Sequence, residues 1–170
     1  MRHEVDEEFA SYVRARQHQL LRAAYLVCGD AHLAEDLLQG ALVKLALRWD
    51  RVRGENPDAY VRRILYRDAV SAWRRTRRES IAAVLPDPGH ADHSTGVSDR
   101  LDLERALATL TPKQRAVVVL RYFEDRTEAD TADVLGISVG TVKSQTHAAL
   151  ARMRHRVPDL SPTLTATEPS

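Results

Sequence analysis

A chain of 170 residues with 44% hydrophobic content can bury the core of one domain or two small ones, and its single cysteine, Cys28, excludes an internal disulfide and a cysteine-based zinc cluster. With 25 basic residues against 24 acidic ones, net charge +1, any affinity for nucleic acid must come from local clustering of charge. No apolar run approaches the roughly 20 residues that span a bilayer, and the acidic start (Glu4, Asp6, Glu7, Glu8) is not a signal peptide, so a cytoplasmic protein without membrane insertion is expected.

Few glycines and a predominance of Ala, Leu and Val among the apolar residues favour an all-α fold. The first helix is expected over 6–27, broken by Gly29-Asp30. Cys28 ends an apolar run beginning at Tyr25 and reads as a buried structural thiol. The next helix, 31–47, has an apolar stripe (Leu33, Ala34, Leu37, Leu38, Ala41, Leu42, Leu45, Ala46) opposite Glu35, Asp36, Gln39 and Lys44. Gly40 within it costs up to about 1 kcal/mol relative to Ala and has no local explanation. Trp49 through Pro57 reads as a loop. A third helix, 58–78, buries Tyr60, Val61, Ile64, Leu65, Ala69, Val70 and Trp73. It also carries Arg62, Arg63, Arg67, Arg74, Arg75, Arg77 and Arg78 against the single Asp68, an electrostatic footprint of one sign.

Residues 79–98, rich in Pro, Gly, Ser, Asp and His, are expected to be a flexible linker. His90 and His93 have a metal-ligand spacing, but with no cysteine nearby they read as incidental, and no metal is expected. Helices near 99–109, 112–123, 128–135 and 139–155 make a second unit, in which Thr111-Pro112 reads as a cap followed by Pro in the first helical position. The Thr-, Ser- and Pro-rich tail, 157–170, is expected to be disordered.

The most informative stretch is Leu135-Gly136-Ile137-Ser138-Val139-Gly140-Thr141-Val142-Lys143-Ser144. Gly136 suits the left-handed end of one helix, and Ser138 can cap the next by accepting from its free N–H groups. Ile137 and Val142 have the spacing of a hydrophobic staple, and Thr127-Glu128-Ala129-Asp130 can form a capping box on the preceding helix. The outward face would present Thr141, Lys143, Ser144, Gln145, His147 and Ala148, suited to phosphates and base edges. Together these make a helix-turn-helix.

Two small helical units, an arginine-rich helix in the first and a helix-turn-helix in the second, resemble the extracytoplasmic-function sigma factors of the sigma-70 family over residues 8–156. The resemblance rests on Ala34-Glu35-Asp36-Leu37-Leu38-Gln39, Tyr60-Val61-Arg62-Arg63-Ile64-Leu65, Leu110-Thr111-Pro112-Lys113-Gln114-Arg115 and Leu135 through Ser144. Leu47-Arg48-Trp49-Asp50 and Thr141 through Thr146 are similar to the actinobacterial SigE-like branch.

The resemblance implies a region 2-like domain over 1–78, a linker over 79–98 and a region 4-like domain over 99–156. It implies that Glu35, Asp36 and Gln39 grip core RNA polymerase at the beta-prime clamp helices, with the beta flap as a second contact. The loop after Trp49 and the helix from Tyr60 would open the −10 element and capture an unstacked base, through Arg53, Asn56, Tyr60, Arg63, Arg67, Arg74 and Arg75. The recognition helix would enter the major groove at −35. Ser144, His147 and Ala148 would lie at bases, and Lys143 and Arg121 at phosphates, alongside Ser138, Thr141 and Gln145.

An anti-sigma factor is a further partner the family admits. Departures from the family pattern stand at Gly40, Arg67, Gln145 and Ala148; an alanine can touch a thymine methyl but cannot bind guanine bidentately. The alternative, a dimeric helix-turn-helix regulator, lacks any receiver-like pattern ahead of the DNA-binding unit. No nucleophile–base pairing, metal cluster or phosphate loop is present, so neither an enzyme nor a cofactor is expected.

Overall fold

The computed structural model describes residues 2–82 and 97–156, with side chains over 6–75 and 101–155. All regular structure among the described residues is helical. Helix α1 spans Arg2–Cys28, α2 Ala31–Ala46, α3 Trp49–Val52 and α4 Pro57–Ala82. In the second half α5 spans Val97–Ala108, α6 Pro112–Val118, α7 Glu128–Leu135 and α8 Val139–Arg156; a π-helical turn, Val119–Phe123, continues α6. The expected linker is therefore helical at both its edges, 79–82 and 97–98. The rest of it, with His90 and His93, and the tail from 157 lie outside the described residues.

Helix ends follow local chemistry. Gly29, at φ +76°, closes α1, and the Asp30 carboxylate caps α2 by accepting from the Leu33 N–H at 2.7 Å. Asn56 starts α4 by accepting from the Ala59 N–H at 2.9 Å. Thr111 and Gln114 form a full capping box at α6, with Pro112 in its first turn. The stretch expected to be a loop after Trp49 contains the short α3. Trp49, 5% exposed, anchors it against Phe9 and Tyr12, whose ring centroids lie 5.2 and 5.3 Å away.

The first half has its own core: Leu20, Ala24, Cys28, Ala34, Leu38, Ala41, Leu45, Trp49, Val52, Val61 and Leu65. Cys28 is buried as expected; its thiol donates to the Asp30 carbonyl, and burial pushes its pKa up. A second cluster joins the halves. Leu26 and Val27 of α1 and Tyr66 and Ala69 of α4 are packed with Leu107, Leu110, Val118, Val119, Leu120 and Met153. At roughly 1.5–3 kcal/mol for each large side chain buried, this shared cluster is a principal source of cohesion between the halves.

Inside that seam lies a polar network. Arg62, 1% exposed, donates from Nε and Nη2 to the Glu124 carboxylate at 3.0–3.2 Å, and Tyr66 donates its hydroxyl to the same group at 2.8 Å. The π turn sets up this meeting: it closes with the Glu124 N–H donating to the Val119 carbonyl at 3.0 Å. On its other side Arg62 pairs with Asp58 at 2.8 Å, which also accepts from the Tyr12 hydroxyl at 2.9 Å and faces Arg126 at 3.5 Å. Arg62, counted in the basic footprint, is thus spent inside the fold. Burial alone would lower its pKa, but Glu124 and Asp58 outweigh that and raise it. Burial and the neighbouring carboxylates push the Tyr66 and Tyr12 phenols upward.

Burial would raise the Asp58 carboxyl, but Arg62, the Tyr12 hydroxyl and Arg16 together hold it below its ordinary value. A depressed carboxyl contributes stability above its unfolded pKa and loses it as pH falls through the lower folded value. Denaturation midpoints should therefore fall below about pH 4. Asp58→Asn should cost about 1–3 kcal/mol at pH 7 and show a flatter decline toward acid, both readable from urea titrations across pH.

Candidate nucleic-acid interface

The helix-turn-helix is assembled as its local chemistry requires. The Thr127 hydroxyl accepts from the Asp130 N–H at 3.0 Å and donates to its carboxylate, so the box closes between side chains rather than reaching back to the backbone. Gly136 ends α7 at φ +65°, and the Ser138 hydroxyl accepts from the Thr141 N–H at 3.1 Å. Ile137 and Val142 meet over Val117 and Ala132, which fixes the angle at which α8 leaves the turn. Lys143, Ser144, His147 and Ala148 are exposed on α8, with 143 and 147, and likewise 144 and 148, four residues apart on one face. Thr141 and Gln145 are half-buried, and Ser138 is committed to capping. Lys143 makes one exposed ion pair, to Glu128 at 3.6 Å. Arg121 stands apart: half-buried on the π turn, it donates to the Arg126 carbonyl and so braces the turn into α7.

A second surface lies where α2 ends against α4. A groove of about 350 Å³ is lined by Lys44, Leu47, Arg48, Tyr60, Ile64 and Arg67, with Asp68 at its side. Tyr60 and Arg67 from the sequence-based set meet here; Lys44, Leu47 and Arg48 are additional. Their signal was weak, because exposed residues at a helix end read as ordinary solvated positions. Arg63, Arg74 and Arg75 are exposed along α4, but Arg63 is ion-paired to Asp133 of α7. Arg53 is held by Glu8 at 2.9 Å, and Asn56 is exposed while it caps α4.

The third surface is the outer face of α2. The Glu35, Asp36 and Gln39 side chains are exposed. The same stripe continues through Gly40 to Val43 and Leu47, which are 60% and 80% exposed. A Cβ added at Gly40 would meet nothing within 4 Å, so no contact among the described residues requires glycine there. Sequence periodicity marked the acidic end of this stripe but not its apolar end. No described helix is long and apolar enough to cross a membrane.

Comparison with known proteins identifies the family. Residues 12–79 match Sigma-70 region 2, and residues 100–153 match Sigma-70 region 4. The chain is 43% identical over 152 residues to the RNA polymerase sigma-E factor of Streptomyces avermitilis, covering 88% of this chain and 85% of the relative. It is 30% identical over 150 residues to the ECF RNA polymerase sigma factor SigM of Mycobacterium tuberculosis, covering 85% and 74%. In fold it is similar to the sigma factor RpoE of Bartonella quintana, solved in complex with the anti-sigma factor NepR. The TM-score is 0.77 at 24% identity, over 91% of this chain and 99% of that one. The match to region 2 ahead of the helix-turn-helix disfavours the dimeric regulator. A helical region 2 joined to a helix-turn-helix region 4, in a chain sharing these identities over most of its length, places the protein in the extracytoplasmic-function sigma factors of the sigma-70 family, which direct promoter-specific transcription initiation.

Proposed function

We propose that this chain works in the cytoplasm as a non-catalytic specificity subunit whose three surfaces divide the labour of initiation. The observation that carries the reading is the segregation of its exposed side chains. Acidic and apolar groups share the outer face of α2, arginines line α4, and short polar side chains with one lysine occupy the reading face of α8.

The α2 stripe is the surface offered to the beta-prime clamp helices, with Glu35, Asp36 and Gln39 as its polar end and Val43 and Leu47 as its apolar end. Gly40 lies between them, where a missing side chain lets a partner helix approach closely. The groove at Tyr60 and Arg67 has room for one unstacked base, with an aromatic ring for its face and guanidinium groups for its edge and backbone. Arg53, Asn56, Arg74 and Arg75 lie along the path of the strand. On α8, Ser144, His147 and Ala148 read bases at −35, and Lys143 meets phosphate. The second half docks on the beta flap. An anti-sigma factor would be a further partner, as in the complex with NepR that the structural neighbour forms.

Three substitutions separate these roles. Asp36→Arg should keep its helical signal and lose core polymerase binding in a pull-down; retained binding would remove α2 from the interface. Gly40→Ala should raise unfolding stability by about 0.5–1 kcal/mol yet weaken core binding, because the new methyl occupies the approach path. Lys143→Ala should weaken duplex binding evenly across sequences and reduce the salt slope by about 1, while His147→Ala should change preference among promoters.

A further inference from the structure

We propose that the outer face of α1 and the π turn together form a binding site for single-stranded nucleic acid, apart from the groove on α4 and independent of the role proposed for it: Arg14, His18 and Arg22 follow the strand's phosphates, and Tyr122 and Phe123 receive a base.

The first observation is a row without counter-charge. Between Glu8 and Asp30 the chain contains no Asp or Glu. Arg14, His18 and Arg22 fall four residues apart in that stretch, and all three are exposed. On a helix this spacing sets them in line along one face, in steps of about 6 Å at about 1.5 Å per residue. Arg16, from the same stretch, is drawn aside to Asp58 at 3.6 Å. A solvated helix face ordinarily mixes both signs, and this one carries no carboxylate.

The second observation is where the row leads. α1 packs on the π turn. His18, Gln19, Arg22 and the buried Leu26 of α1, with Tyr122 and Phe123 of the π turn, line a groove of about 470 Å³ there. Both aromatic side chains are half-buried. Glu124 also borders the groove, but Arg62 and Tyr66 donate to its carboxylate at 3.0 and 2.8 Å, so its charge is answered from within the fold.

A basic track that runs onto accessible aromatic rings suits a single strand of any sequence, because the backbone follows the charges and every base has a face to stack. Gln19 adds a donor and an acceptor for a base edge. A duplex keeps its bases stacked inside and uses only the charges. An acidic helix would match the row, but its side chains make no use of Gln19 or of the flat faces of the rings. The single strand uses every feature of the site.

The test uses the full chain without polymerase, in an Arg67→Ala background so that binding at the α4 groove does not mask the result. A fluorescent oligothymidylate carrying one 4-thiothymidine should photo-crosslink to Tyr122 or Phe123. Arg14→Gln with Arg22→Gln, both at exposed positions, should weaken binding of the same oligonucleotide about tenfold and reduce its salt slope by about 1.4. Arg105→Gln with Lys113→Gln, an equal change of net charge elsewhere, should leave affinity unchanged. Tyr122→Leu, which keeps an apolar side chain against the core, should cost about fivefold for the single strand and nothing for a mixed-sequence duplex.

Crosslinks confined to α4 or α8, or equal losses in the two double variants, would overturn the proposal. So would equal losses for single strand and duplex in Tyr122→Leu, since the rings would then hold the fold rather than a base. A Glu-rich helical peptide provides the last arm. If Arg14→Gln with Arg22→Gln weakens that peptide's binding but not the oligonucleotide's, the row is a protein-binding face and the proposal fails.

Discussion

The structure depends on one buried ion pair. Arg62 of α4 and Glu124 of the π turn are almost fully excluded from water, and each is satisfied from several sides. Leaving either unpaired in that setting would cost several kcal/mol, so the pair admits one register between the two halves and penalises the others. Tyr66 completes the Glu124 carboxylate, while Asp58, Tyr12 and Arg126 extend the network to α1 and to the turn before α7. The apolar cluster around it is the source of cohesion but is less particular about register.

A second device locks the same seam from the other end. Arg115 is 6% exposed, and its guanidinium lies over Gly29; a Cβ there would come within 3.4 Å of it. Gly29 thus serves twice, closing α1 in a left-handed conformation and leaving room for an arginine of the second half. Burial lowers the pKa of Arg115. Both devices use arginine, whose planar group packs like an apolar plate while carrying several donors.

The same economy governs the surfaces that remain. Arginines along α4 divide into those turned inward, such as Arg62, and those turned outward, such as Arg67, Arg74 and Arg75. Only the second group is available to a partner. Arg63 is intermediate, exposed but engaged by Asp133. On α8 the division is simpler, because Val142, Ala149 and Met153 fill the inner face, while on the outer face only Lys143 is engaged among the described residues, by Glu128.

The sequence by itself determined the local units. Caps at Thr111, Thr127 and Ser138, the left-handed Gly136 and the 3.6-residue periodicity act within a few residues, so the helices and the helix-turn-helix were legible from short windows. The acidic face of α2 and the basic character of α4 were legible for the same reason. The short α3 was missed because its cause is distant: Trp49 packs on Phe9 and Tyr12, some forty residues earlier. Tertiary structure alone decided which arginines are spent and which are free. Arg62 and Arg63 are neighbours of identical chemistry, and the difference between them lies in Glu124 and Asp133, more than 60 residues away. Glu124 meets Arg62 directly after the π turn that follows Val118.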